Sequence, residues 1–165
     1  MGVIKLGFIS LIVFALLITG FSLFIPSHIR ISKAVDINAS KDSVLQQIND
    51  AANWKNWFPG GDTATYYMEE SKITGISIGG KQALVITEAT DSSVLAKNVG
   101  SGSKRGKSGW NIYDGGTPNT VTVQWYMDFH LRWFPWEKFS SLLLEKRYGP
   151  MREQGLDKLK NLLDQ

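Results

Sequence analysis

The residues in this chain whose types and spacing invite acid–base chemistry are few: His28, His130 and the neighbouring Asp128. Asp128 and His130 stand two apart in a segment that alternates apolar with polar residues, so both side chains leave one face of a strand. An imidazole oriented by a carboxylate is a general acid–base pair. That face is the polar one, however, and same-face neighbours lie about 7 Å apart along a strand, so the pattern favours a solvated surface pair. Two histidines and zero cysteines do not make a zinc site, and the lack of cysteine excludes disulfides and thiol nucleophiles. Gly106-Lys107-Ser108 has the ending of a phosphate loop. The pattern needs a glycine at position 101, which is Ser, and a helix afterwards, where a strand is expected. No Gly-x-Ser-x-Gly elbow is present. No catalytic residue, metal or cofactor is therefore assigned.

What the chain offers in quantity is soft apolar surface. Six tryptophans and eight phenylalanines are spread over its 165 residues, and aromatic and Met side chains give apolar guests large, adaptable contact area. The candidate ligand-binding set is Trp54, Trp57, Trp110, Trp125, Met127, Phe129, Phe139 and Leu143. Each has two readings that the sequence leaves open. Trp54 and Trp57 either flank a cavity mouth or plug the gap between helix and sheet. Trp125, Met127 and Phe129 either line a pocket or fill a core, with Phe139 and Leu143 opposing them. Lys97, Lys104, Arg105 and Lys107 form either a solvated hairpin tip or a contact for anionic headgroups, each worth at most about 1 kcal/mol.

These side chains need elements to hold them. Leu6 to Ile25 is a 20-residue run without a charged side chain; as a helix it spans about 30 Å, the thickness of a bilayer's hydrocarbon core. The run is too long for the apolar part of a signal peptide and lacks a clean small-x-small site, which favours a retained anchor. Arg30, Lys33 and Lys41 on one side against Lys5 on the other leave its orientation open. After Pro26, alternation from Ile29 to Asn38 predicts a half-buried strand, broken in parity by Lys33 as at an edge. Ser40 with Asp42 predicts the start of a helix to about Ala52. Pro59-Gly60-Gly61 closes that region.

Strands are expected at Ala64–Lys72, Ile76–Ile78, Gln82–Ala89, Val94–Val99, Gly109–Asp114 and Thr120–Arg132. In the last, Val121, Val123, Trp125, Met127, Phe129 and Leu131 share one face. From Pro135 to Leu163, apolar residues recur at helical spacing at Trp136, Phe139, Leu142 and Leu143, then at Met151, Leu156 and Leu159. This predicts one long helix laid on the sheet, with a break or kink at Gly149-Pro150. Charged content of 20% with hydrophobic content of 43% suits one folded domain after the anchor. The net charge of +3 is interspersed with acids, which gives no nucleic-acid footprint.

Val35-Asp36-Ile37-Asn38-Ala39-Ser40, then Val44 and Asn53-Trp54-Lys55-Asn56-Trp57, resemble the opening motif of the START-related superfamily of polyketide cyclases and lipid-transfer domains. Gly155-Leu156-Asp157-Lys158-Leu159-Lys160 resembles its closing helix. The resemblance runs from about His28 to the end. It implies an α+β helix-grip fold: a curved antiparallel sheet wrapped around a long C-terminal helix, here preceded by one transmembrane helix. The expected division is 1–27 as anchor and 28–165 as START-like domain. The resemblance further implies an apolar cavity between sheet and helix, and thus membrane-anchored binding of a hydrophobic small molecule or lipid. The family carries no universal catalytic residues to transfer, and fold alone does not fix function. A cyclase or aromatase, or a filled-core protein-interaction module, are the other readings.

Overall fold

The computed structural model describes residues 2–80, 82–100 and 106–164. Helix α1 (Gly2–Ser22) is apolar beyond Lys5, with a mean hydropathy of 2.4, and is long enough to cross a membrane. It leads to strand β1 (His28–Ile37), helices α2 (Lys41–Asn49) and α3 (Trp54–Trp57), and strands β2 (Thr65–Glu69) to β7 (Val121–His130). Short α4 (Pro135–Ser141) and long α5 (Leu144–Leu163) follow. Between them lie β3 (Lys72–Ile78), β4 (Gln82–Ala89), β5 (Ser93–Gly100) and β6 (Gly106–Asp114). The strands form one antiparallel sheet in the order β1-β7-β6-β5-β4-β3-β2. Register shifts at Tyr67/Met68 and Ile86/Glu88 are bulges, and bulges bend a sheet. The curved sheet grips α5, which makes this a helix-grip α+β fold.

The closure is long-range. β1 sits at one edge and pairs residue for residue with β7, from His28↔His130 to Ile37↔Val121. Lys33 is the single charge on its inner face, and its Nζ lies 2.9 Å from Glu145 Oε1 on α5. The parity break in the sequence is thus an ion pair to the gripped helix. Ser40 caps α2, its Oγ accepting from the Ser43 N–H at 3.2 Å.

Three sequence expectations are corrected by the structure. The predicted single strand Ala64–Lys72 is a hairpin, β2 to β3, whose turn residues Glu70 and Ser71 have φ of 49° and 69°. No Gly or Asn announces that turn, so its left-handed backbone left no chemical signature. β6 begins at Gly106 rather than Gly109, because pairing with β7 recruits Gly106 to Ser108 whatever their β-propensity. The terminal helix breaks at Leu142-Leu143, whose N–H groups bond back three residues, and it runs unbroken through Pro150. Pro150 and Lys146, the residue whose carbonyl loses its donor, are both exposed, so water can serve the freed oxygen. The break falls where two anchorages meet: α4 is tied to the end of α1, and α5 to the sheet.

Five rings make the core's centre. Trp54, Trp57, Phe58, Trp110 and Trp125 pack with centroids 5.1–6.5 Å apart. α5 closes on them at Gly155, where a Cβ would lie 2.5 Å from the Trp125 ring and 2.9 Å from Pro59 Cδ. Both neighbours are rigid and buried. Gly155→Ala should therefore destabilise the domain by about 1–3 kcal/mol, although alanine gains about 1 kcal/mol of helix propensity over glycine. Denaturant unfolding checks the sign.

Candidate functional site

One face of the sheet is crowded at its middle and thinly furnished at one end. Across the middle, Trp125 pairs with Trp110, which pairs with Val94. Two residues further along, Met127 stands beside Ser108, and Ser108 beside Ala96. At the next row Phe129 stands beside Gly106. Small side chains where large ones would fill the space leave a partly enclosed cavity of about 320 Å³ between sheet and α5. That is the small end of the range for ligand pockets.

Trp125, Met127 and Phe129 form its β7 wall; Ile76, Ile78 and Leu84 face them from β3 and β4; Phe58 closes the core side, and Tyr148 and Met151 come from α5. Gln82, Asn98 and Ser108 supply polar atoms. Ser108 is buried and engaged: its Oγ accepts from Trp125 Nε1 at 2.8 Å and donates to the Tyr126 carbonyl at 3.3 Å. Tyr148 is the one ionisable side chain on the wall among the described residues, and its ring packs on Phe129 at 5.3 Å.

The structure brings Trp125, Met127 and Phe129 together on this cavity. It places Trp54, Trp57 and Trp110 behind it, fully buried in the ring cluster; Trp54 and Trp57 donate to the carbonyls of Ile48 and Gln47. Phe139 and Leu143 stand exposed on and just after α4, away from the cavity. The residues opposing β7 are instead Tyr148 and Met151. Met151 belonged to the apolar periodicity; Tyr148 had no signal of its own. Lys104 and Arg105 lie outside the described residues.

The acid–base pair is occupied elsewhere. Arg30 donates to both Asp128 oxygens at 2.7 and 2.8 Å, and this bidentate bond holds the Asp128 carboxyl below the usual carboxylate range. His28 stacks on His130 at 4.6 Å across the strand pair. These groups sit on the opposite face of β7 from the cavity wall.

Sequence reasoning passed over Arg152. It is wholly buried on α5, with its guanidinium 5.6 Å from the Trp125 ring and 5.8 Å from the Tyr148 ring. Nη1 donates to the Tyr148 carbonyl at 2.7 Å, while Nε and Nη2 have no partner. Burial pushes its pKa down to about 10. A base whose folded pKa lies below its unfolded value costs stability while charged. The cost is full below about pH 10 and is relieved as pH rises through that value. Arg152→Met should thus raise stability at neutral pH, by about 1–3 kcal/mol, as read by thermal or denaturant unfolding.

A family model described as polyketide cyclase / dehydrase and lipid transport matches residues 28–164. Comparison with curated protein sequences gives no match. Among solved structures, an uncharacterised protein from Bacillus thuringiensis is 13% identical with a TM-score of 0.60, over 81% of this chain and 98% of its own. The di-domain aromatase/cyclase StfQ of the steffimycin biosynthetic pathway aligns with a TM-score of 0.62 at 9% identity. That match covers 83% of this chain and 51% of StfQ. The Aha1 dimer from Colwellia psychrerythraea aligns at 0.52 and 16% identity, over 82% and 96%. At such identities the likeness is one of fold.

Proposed function

The chain belongs to the polyketide cyclase / dehydrase and lipid transport family, and we propose that it is a membrane-anchored binder of a hydrophobic small molecule or lipid. Residues 1–27 are the anchor and 28–165 the binding domain. The observation that carries this reading is the position of the cavity. Its Phe129 wall pairs with Ile29, one residue from the start of β1, so the cavity lies at the sheet end nearest α1. The ring cluster fills the part further away. An apolar guest leaving a bilayer would have little water to cross, and its burial would gain about 25 cal/mol per Å² of apolar surface. Gln82 and Asn98 give the wall polar atoms for orientation.

A second reading keeps the site and adds chemistry, as in a cyclase or aromatase. Tyr148 favours it, as a phenol on the wall able to donate a proton to a bound guest. A filled-core interaction module is the reading that a cavity of about 320 Å³ argues against.

Gly106 supplies the test. A Cβ built there points beside Met127 and Asn98 at 3.6–3.8 Å, in ordinary contact, with no positive φ to strain it. Gly106→Phe therefore puts a ring into the cavity from a Cβ that fits without displacing backbone. Native mass spectrometry of the full chain, released from membranes in mild detergent, should find a bound lipid-sized adduct on the wild type. The same measurement on Gly106→Phe should find none, at an unchanged melting temperature. A wild type that retains no adduct and binds no member of a hydrophobic probe panel would end the proposal; a Gly106→Phe chain that keeps the adduct would move the site elsewhere.

A further inference from the structure

Helix α4 has its polarity inside out. Glu137 and Lys138 are 6% and 3% exposed and Ser141 is buried, while Trp136, Leu142 and Leu143 are 66%, 66% and 65% exposed. At 100° per residue, Glu137, Lys138 and Ser141 fall on one arc; Trp136, Phe139 and Leu143 fall on the other. The buried polar groups are all engaged. Glu137 accepts from the Arg132 backbone N–H at 3.0 Å and from its guanidinium at 2.7 and 2.9 Å. Lys138 Nζ donates to the Ile25 carbonyl at 2.6 Å and to Ser27 Oγ at 2.7 Å. The Ser141 hydroxyl donates to the Lys138 carbonyl. The polar face is thus a built contact, through Glu137 with the loop from β7 and through Lys138 with the segment after α1, and the apolar face is left pointing outward.

We infer that α4, together with Trp133, lies in the interface of a lipid bilayer with this apolar face turned toward the acyl chains. The inference rests on the reading of α1 as a membrane segment and is independent of what the cavity holds. Four observations choose lipid as the occupant. Lys138 clamps α4 to the Ile25 carbonyl and the Ser27 hydroxyl in the segment between α1 and β1, so the plane in which α1 would leave the hydrocarbon is the plane in which α4 sits. The exposed Leu23 and Phe24 of that turn, at 68% and 86%, add to an apolar surface carried on both sides of the clamp. Its composition is that of an interface: two tryptophans and three phenylalanines, with Trp133, Phe134 and Trp136 packed in a row at 4.7 and 4.8 Å. Exposed Lys146 and Arg147 in the first turn of α5 suit headgroup phosphates. Contiguous apolar patches of this kind are rare on surfaces meant for water.

The absence of cysteine makes the test direct. The full chain is reconstituted in vesicles of phosphatidylcholine with phosphatidylglycerol, and a nitroxide is placed by Trp136→Cys, Leu143→Cys, Phe14→Cys in α1, or Tyr113→Cys on β6. All four positions are exposed, so the fold is not at stake. Accessibility to oxygen against a water-soluble nickel chelate reads depth. Expected are deep burial at 14, full water exposure at 113, and labels at 136 and 143 about 5–10 Å below the phosphates. A deep label at 14 with 136 and 143 as wet as 113 overturns the interface while leaving the anchor standing. A wet label at 14 overturns the anchor and this inference together. Dipolar coupling between labels at 143 assigns the face to a second copy and overturns the inference too.

Discussion

Trp125 is the side chain on which both halves of this domain depend. One side of its ring belongs to a five-ring cluster and meets α5 so closely that only glycine fits at position 155. Its indole N–H is held by Ser108, a residue small enough to leave room beyond it. The same ring is therefore the end of the core and the beginning of the cavity. Moving it would disturb the seat of α5 and the shape of the space it encloses. Packing in this domain is graded along one sheet face, large residues in the middle and small ones at one end.

Arg152 is the exception to that packing. A cation with two unpartnered nitrogens, buried beside Trp125 and Tyr148, is a cost the fold carries rather than a contact that holds it together. Costs of this kind persist where stability is exchanged for function. The two rings it touches are both walls of the cavity. By contrast the most conspicuous charged cluster, Arg30 with Asp128 and the two histidines, lies on the outer face of β1 and β7 and is satisfied within itself.

Membership of the polyketide cyclase / dehydrase and lipid transport family is read from residues 28–164; α1 precedes the match. That added helix changes what the C-terminal part of the chain has to do. α5 behaves as a gripped helix, with Leu156 and Leu159 buried on the sheet. α4 is held by Lys138 to the segment leaving α1. The break at Leu142-Leu143 separates a helix packed on the sheet from one tied to the end of α1.

Signals local to the chain were enough for several of its elements, while the helix-grip arrangement was implied by the family resemblance. Strict alternation in β7, the Ser40 cap and the 20 uncharged residues from Leu6 each report a backbone state that neighbouring residues impose by themselves. The membership of Trp125, Met127 and Phe129 in one face followed from the same parity. Which of the aromatic residues border empty space did not, because a void is a property of residues missing from facing positions. Gly106, Ser108 and Ala96 are far from Phe129 and Met127 in sequence and meet them only through strand pairing. Nor did the helical period at Trp136, Phe139, Leu142 and Leu143 say whether the stripe faces the protein or looks away from it. Periodicity gives a face and not its partner; that depended on Lys138 reaching Ile25, 113 residues earlier in the chain.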